Sequence, residues 1–423
     1  MPEKNCPKLI EDPCGIPEWI NAKYFETMLR KCKYDPSIKV PSIDVKYALA
    51  KGENFASVIY RVHVVIHSKD HSERIHSYII KGMSETPLIR QMLGEYNVHG
   101  KEMDVYQLVI PELQHLMRSI EDHSDLYLNA LCVDRNNDVM LFDDILELGY
   151  VMIDRITGLD AIHTKMSLNA MAKLHATSMK LAEIYPTMFD RYKTGMMTRE
   201  TDAFHDFFRS TYDALTDEIY TWDLKWHYYA NKLRKLRPYY LEQGMTVFDN
   251  DSEHDLRVFV HGDLWVNNLM FKYDINNGQP IDVILFDFQY CCYGTPAIDL
   301  CYFFFTSTRD DIRQNGFEEY MQYYYNGLAA YTQRLHCTLK FPTLHQFQRQ
   351  LLKKMFYAIH SCVVALPIHI NDGTVIADSD ALFAGDEHSR LFKKAIMTNE
   401  KYHKIMKGLL PTFDRKGLLD KLD

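Results

Sequence analysis

His261, Asp263, Asn267 and Asn268 crowd the stretch "VFVHGDLWVNNLMF", Val258 to Phe271, between two runs apolar enough to be buried strand. Burying such groups without partners costs roughly 2–7 kcal/mol each, so they are either well hydrogen-bonded or kept for chemistry. The residues that follow supply the next piece. Leu269 to Tyr273 and Ile281 to Phe286 read as paired strands around "NNGQP", a hairpin folding at Asn277 and Gly278. Asn268 immediately precedes the first strand and Asp287 immediately follows the second, so the ribbon brings a carboxamide and a carboxylate side by side at its open end, next to Asp263. A few hard oxygen ligands with room left for water and phosphate oxygens suit Mg²⁺ bound together with a nucleotide. Taken singly, Asn268 would be a strand cap and Asp287 the start of a turn. Their mirror placement beside an H-x-D favours the metal and nucleotide site.

The elements that must position this cluster divide into two parts. "PEWINAKYFETMLRKCKYD" reads as an N-terminal helix with Trp19, Ile20, Phe25, Met28 and Leu29 at near-helical spacing. In "SVIYRVHVVIH" Val58, Tyr60, Val62, Val64 and Ile66 alternate with Arg61, His63 and His67, a half-buried strand, with "KGEN" before it as a turn. A further strand, "RIHSYIIKGM", carries Lys81 near its end. A helix is predicted from about Leu88 to Met117, ended or kinked by Pro111, and "LYLNALCVDRNNDVMLFDDI" reads as a hairpin around "RNND". Beyond Asp144 the patterns are mostly helical: Thr164 to Tyr185, about Thr198 to Gln243, Gly316 to Leu335 and Leu344 to Leu366. "NDGTVIADSDALFAGDEHS" looks like an exposed loop.

Length and composition bound the function. A chain of 423 residues that is 47% hydrophobic supplies core for two to three domains. The charged, proline-bearing start has no signal-like apolar run, and no segment approaches eighteen uninterrupted apolar residues, so a cytoplasmic protein is expected. Nine cysteines, odd in number and without C-x-x-C, indicate neither a disulfide framework nor zinc. A formal charge of −9 disfavours nucleic acid or an anionic membrane as the main partner, leaving a small molecule.

"HGDLWVNN" followed by "ILFDFQ" resembles the H-x-D-x-x-x-x-N and D-F-x signatures of the kinase-like phosphotransferases, the superfamily of aminoglycoside and choline kinases. The fuller strings "HGDLWVNNLMF", "DFQYCCYGTPAIDLCYFFFTS" and "EMDVYQLVIPEL" look like the ecdysteroid kinase-like family, over a stretch from about Gly52 to beyond Ser307. The resemblance implies a bilobal α+β fold, with a small antiparallel-sheet N-lobe over residues 1–144 and a larger helical C-lobe over 145–423. It implies ATP as the phosphoryl donor. In the catalytic segment Asp263 would be the base, Asn268 and Asp287 would hold Mg²⁺, and His261 would support the loop. Lys81 would face the α and β phosphates in an ion pair with Glu102, 21 residues on, with Glu95 a competing partner. Backbone amides from Asn54 to Ser57 would cradle phosphate, although the segment has one glycine in place of G-x-G-x-x-G, and backbone groups near Asp143 and Ile145 would receive adenine. Asp299 would brace the loop, with a helix cap as its simpler reading. Gln289 replaces the glycine of D-F-G.

Only eleven residues separate Asp287 from Asp299, without a serine or A-P-E, so no seat for a peptide is evident and a small-molecule hydroxyl is favoured. The resemblance implies ecdysteroids, other hydroxylated lipids or xenobiotics as acceptors. A catalytically inactive nucleotide-binding scaffold is the alternative. A metallohydrolase built on His261 and Asp263 fails for want of a nearby H-x-H or H-E-x-x-H. Nothing in the sequence assigns an acceptor contact or an oligomeric state.

Overall fold

The computed structural model describes residues 15–48, 57–67, 73–84, 86–249, 255–373, 375 and 382–421. Helix α1 (Ala22–Cys32) starts after Asn21, whose side chain accepts the Tyr24 N–H, so Trp19 and Ile20 precede the helix; Phe25 and Leu29 are its buried face. It covers a five-stranded antiparallel sheet of β1 (Lys39–Tyr47), β2 (Ser57–His67), β3 (Glu73–Met83), β4 (Ala130–Asp134) and β5 (Val139–Asp143), in the order β1-β2-β3-β5-β4. The alternation in β2 has its expected effect: Tyr60, Val62, Val64 and Ile66 are buried, and they join Phe25, Leu29, Tyr78 and Ile80 in one core. Lys81 lies opposite Ile59 of β2 and Met140 of β5, in the middle of the sheet.

The helical stretch between β3 and β4 is not the single helix the periodicity predicts. It comprises α2 (Pro87–Glu95), α3 (Val98–Asp104), a π turn at Val105–Val109 and α4 (Ile110–Ser119). The break after α2 falls at Asn97, in the left-handed region at φ 48°, a conformation asparagine tolerates better than most residues. Pro111 neither ends nor breaks the path, because the π turn widens the ladder just ahead of it, where the missing N–H and the ring would strain a regular α turn.

The rest of the chain packs mainly as helices. They include α5 (Ala161–Ile184), α6 (His205–Ile219), α7 (His227–Leu236), α8 (Tyr240–Thr246), α9 (Ala297–Ser307), α10 (Asp310–Asn315) and α11 (Phe317–Arg334). Further helices follow at Leu344–Lys354, Phe356–His360, Leu366–His369, Glu387–Met397 and Glu400–Arg415. Glu387–Met397 begins inside the stretch expected to be an exposed loop; of the remainder, residues 374 and 376–381 lie outside the described residues. Every side chain of α9 is buried, which makes it the central post of this part.

Two small sheets carry the polar cluster. One is β6 (Tyr150–Val151), β8 (Leu269–Tyr273) and β9 (Pro280–Leu285); the other pairs β7 (Val258–Val260) with β10 (Cys292–Gly294). Where the chain leaves the five-stranded sheet, Ile145, Tyr150, Met270 and Ile284 form a separate apolar cluster. No single helix among the described residues is long and apolar enough to cross a membrane.

Candidate active site

The loop from His261 to Asn268 leaves β7 through a turn that only glycine fits. Gly262 has φ 82°, and a Cβ there would stand 2.0 Å from the carbonyl oxygen of Tyr290. Asp299, fully buried on α9, accepts the N–H of His261 at 2.7 Å and that of Gly262 at 2.8 Å. Behind it, His175 Nε2 lies 3.1 Å from Asp299, and His175 Nδ1 lies 2.6 Å from the Tyr324 hydroxyl. The far end of the loop is held by the Val266 N–H, which donates to Ser307 Oγ at 3.1 Å. Asp299 is thus more than the helix cap its position suggested.

His261, which the resemblance expects to support the loop, stands at its start. The ring is fully buried, packs 4.5 Å from that of Phe288, and has Nε2 2.8 Å from the Phe286 carbonyl oxygen. Burial keeps it neutral by pushing its pKa down. Its place is to join the loop to the end of β9.

The ribbon departs from the sequence reading by one residue. Leu269 pairs with Leu285, and the Phe286 N–H donates to the Asn268 carbonyl at 3.3 Å, so Asn268 stands opposite Phe286 and Asp287 lies one position further on. A one-residue offset in extended chain would send Asp287 to the other face. Instead the backbone turns at Asp287, which sits at φ 70° with its N–H donating to the Tyr106 hydroxyl at 3.1 Å. Such a left-handed, non-glycine residue costs of order 1–3 kcal/mol and persists only where its surroundings hold it.

Lys81 and Asp287 meet across the two parts of the molecule. The Lys81 ammonium donates to Glu102 at 2.7 Å and to Asp287 Oδ1 at 2.8 Å. Glu102 is on α3, where the nearby Phe288 backbone favours its charged form. Glu95 takes no part, since it accepts the Thr201 hydroxyl instead.

Burial dominates the electrostatics. Asp263 is 8% exposed, and desolvation pushes its carboxyl up to about 7; the polar side chains of Tyr302, Gln289 and Asn268 nearby oppose the rise, and Asp287 adds to it. Asn268 Nδ2 donates to the Asp263 carbonyl at 2.8 Å and lies 3.4 Å from its carboxylate. For Lys81, burial alone would lower the pKa, but Asp287 and Glu102 outweigh it and hold the ammonium charged. Burial pushes the Glu102 carboxyl upward against the pull of Lys81.

The residues expected to receive a nucleotide are placed unevenly. Asn54 lies outside the described residues, and Ser57 opens β2. Asp143 ends β5 opposite Tyr78, with its carboxyl pushed up by burial. The carbonyl of Ile145 accepts the N–H groups of Leu148 at 3.1 Å and Tyr150 at 3.2 Å. That carbonyl is therefore engaged in the turn, while the Ile145 N–H has no acceptor among the described residues. Sequence reasoning passed over Tyr106, His175, Tyr302 and Tyr324. Two of them had a positional signal: Tyr106 follows Glu102 by four residues and Tyr302 follows Asp299 by three, one helical turn in each case.

The donor set suits a hard cation. Asn268 directs its amide nitrogen at Asp263 and keeps Oδ1, and Asp287 engages Lys81 through one oxygen and keeps the other. Among the described residues no three His, Cys, Asp or Glu side chains gather into a metal-holding group, so the carboxamide of Asn268 is needed to complete an oxygen site. Two protein oxygens beside open coordination fit Mg²⁺ better than zinc.

A small antiparallel sheet joined to a larger helical part defines a bilobal, kinase-like α+β protein. The chain belongs to the ecdysteroid kinase-like family, whose model matches residues 51–337, from just ahead of β2 to just past α11. This is a kinase-like phosphotransferase family. No curated protein matches the chain significantly.

Proposed function

We propose that the protein is an ATP-dependent small-molecule kinase, transferring the γ-phosphoryl group to a hydroxyl of a steroid-like or other hydroxylated lipid or xenobiotic. The observation that carries this reading is the meeting of Lys81, Glu102 and Asp287, at the same open end of the ribbon where Asn268 lies against a buried Asp263. In this reading Asp263 accepts the hydroxyl proton as the new O–P bond forms and the bond to the ADP oxygen breaks. General-base help of this kind supplies roughly a hundred- to ten-thousand-fold in rate. Asn268 and Asp287 would hold Mg²⁺, which when bound neutralises phosphate charge. Lys81, kept charged and aimed by Glu102, would contact phosphate oxygens, and the Ile145 N–H with the backbone near Asp143 would receive adenine.

The short connection from Asp287 to Asp299 supports a small acceptor. It passes directly into β10 and then α9, leaving no long segment on which a peptide would lie. The free cysteines among the described residues suit a reducing, cytoplasmic compartment.

Incubation with Mg·ATP and a panel of hydroxylated steroids, lipids and xenobiotics, followed by mass spectrometry for phosphorylated products, tests the reading. Asp263→Asn is expected to retain ATP binding and to lose at least about a hundredfold in turnover. Near wild-type turnover in that variant defeats the assignment of the base. A wild-type protein that binds Mg·ATP and modifies nothing on the panel favours the nucleotide-binding scaffold instead.

A further inference from the structure

The loop that carries Asp263 also carries an aromatic ring. Leu264 and Val266 are fully buried, and Trp265 between them has an extended backbone, φ −137° and ψ 177°. Side chains alternate along extended chain, so the two apolar neighbours enter the core and Trp265 turns out of it, to the side shared with Asp263 two residues back. The indole is only half-buried. One of its faces is taken, because it stacks on the His369 imidazole at 3.6 Å and 11°. Its remaining exposure therefore lies on the opposite face and the edges. Its Nε1–H has no acceptor among the described residues, whereas a tryptophan packed in a protein usually finds one for that donor.

The ring behind the indole is held firmly. His369 is 7% exposed, Tyr302 meets its ring edge-on at 5.7 Å and 77°, and Arg155 donates to the carbonyl oxygens of His369 and, at 2.6 Å, of Asn371. A platform fixed in this way stands in place before a ligand arrives, so binding on it costs little side-chain ordering. It favours a ligand that is itself rigid and flat-sided, since an open chain must give up torsional freedom to lie along the indole.

We propose that Trp265 is a specificity-determining residue for the phosphoryl acceptor: the ring system of a cyclic alcohol packs on the indole face away from His369, a second oxygen of that alcohol takes the Nε1–H, and the reacting hydroxyl is thereby set toward Asp263. The inference rests on the reading of the protein as a small-molecule kinase with Asp263 as base, and it narrows the acceptor to ring-bearing alcohols with a further oxygen. Leu264 and Val266 in the core, and Ser307 Oγ on the Val266 N–H at 3.1 Å, fix the indole relative to the carboxylate. One short segment thus selects the acceptor and activates it.

Equilibrium dialysis in an Asp263→Asn background reads binding without turnover. The probes are androsterone and a naphthalenediol, their single-oxygen counterparts androstanol and naphthol, and the open-chain decanol. At least one of the two-oxygen ring alcohols is expected to bind about tenfold tighter than decanol, and Trp265→Leu to erase that preference. Trp265→Phe keeps a ring and loses the N–H, so it is expected to retain the preference over decanol and to lose about fivefold between a two-oxygen probe and its single-oxygen counterpart. Equal binding of ring and open-chain alcohols, or a ring preference that survives Trp265→Leu, overturns the proposal. Should Trp265→Leu fail to fold, Trp265→Phe decides alone, and an unchanged preference for the second oxygen overturns it. A rise in the KM for ATP in Trp265→Phe with unchanged acceptor affinities puts the N–H on the nucleotide and overturns it too.

Turnover separates this failure from failure of the underlying reading. Ring alcohols phosphorylated by wild type and by Trp265→Leu with the same acceptor KM overturn the role of Trp265 and leave the kinase standing. Trp265-dependent binding of ring alcohols that wild type never phosphorylates keeps the ring subsite and overturns the kinase reading beneath it.

Discussion

Asp263 is a carboxyl whose surroundings work against its charge, and that has a consequence for stability opposite to its consequence for turnover. Its pKa rises from the ordinary 3.8 to about 7, chiefly through burial. Between those values the folded protein holds a proton that the unfolded chain has released, so the carboxyl's contribution to stability falls as pH rises through the window. Above pH 7 the penalty is complete, with a ceiling of about 4 kcal/mol for a shift of roughly three pH units. Asp263→Asn should therefore melt above wild type at pH 8 and close to it at pH 4, while losing turnover, a trade familiar at active sites. Thermal melts of both proteins at the two pH values check this, and a variant that melts below wild type at pH 8 would contradict it. At this scale the residue types were legible in the sequence, since His261, Asp263, Asn268 and Asp287 stand out against apolar strands. What each side chain touches was not. The buried ring of His261 and the hydroxyl of Tyr302 differ from ordinary core residues only in partners that are 25 and 67 positions away in the chain.

At the scale of elements, strand periodicity and turn residues made the hairpin and the β2 alternation readable, because both depend on neighbours in sequence. The offset of Asp287 was not readable, because the turn closes with Tyr273 opposite Pro280, two positions short of the mirror pairing, a register shift between Lys272 and Tyr273 recovers one of them, and Asp287 itself is held by a hydrogen bond to Tyr106 on a different segment. The same holds for the break at Asn97 and the π turn before Pro111, where packing overrides helical pattern. Helix α9 shows what such contacts achieve. Asp299 presents two acceptor oxygens to two adjacent backbone N–H groups, with His175 on one of them. An asparagine there must offer its NH₂ to a group that is itself a donor. Asp299→Asn is expected to destabilise the fold by about 2–4 kcal/mol through the unmade bond and the unsatisfied buried amide. Denaturant unfolding measures the loss, and a midpoint unchanged from wild type would show that the loop does not depend on this brace. Turnover at temperatures well below the new midpoint should fall as well, since Gly262 and Asp263 share the segment that Asp299 holds.

For the whole molecule, the junction of Lys81, Glu102 and Asp287 decides how the two parts respond to ligand. One ammonium from the five-stranded sheet faces two carboxylates, one from α3 and one from the ribbon after β9. A buried triad with an excess negative charge is costly on its own and calls for a further cation. If Asp287 and Asn268 take up Mg²⁺ with a nucleotide, binding links the parts and stabilises the folded protein by RT ln(1 + [L]/Kd), about 2.7 kcal/mol at a hundredfold excess over Kd. For a chain of this size that is a rise of a few degrees in melting temperature. Mg·ATP should produce it, whereas ATP with a chelator should produce much less, because the nucleotide then brings negative charge to a site already in excess of it. Asp287→Asn removes one metal ligand and the excess charge together, so its ligand-free form should melt at or above wild type while the increment from magnesium largely disappears. Lys81→Met leaves Glu102 and Asp287 facing each other without a counter-charge and should melt several degrees lower with no rescue by ATP alone. Differential scanning of the three proteins under the four conditions of ATP and magnesium checks the set, and an equal shift in wild type and Asp287→Asn would remove Asp287 from the metal site.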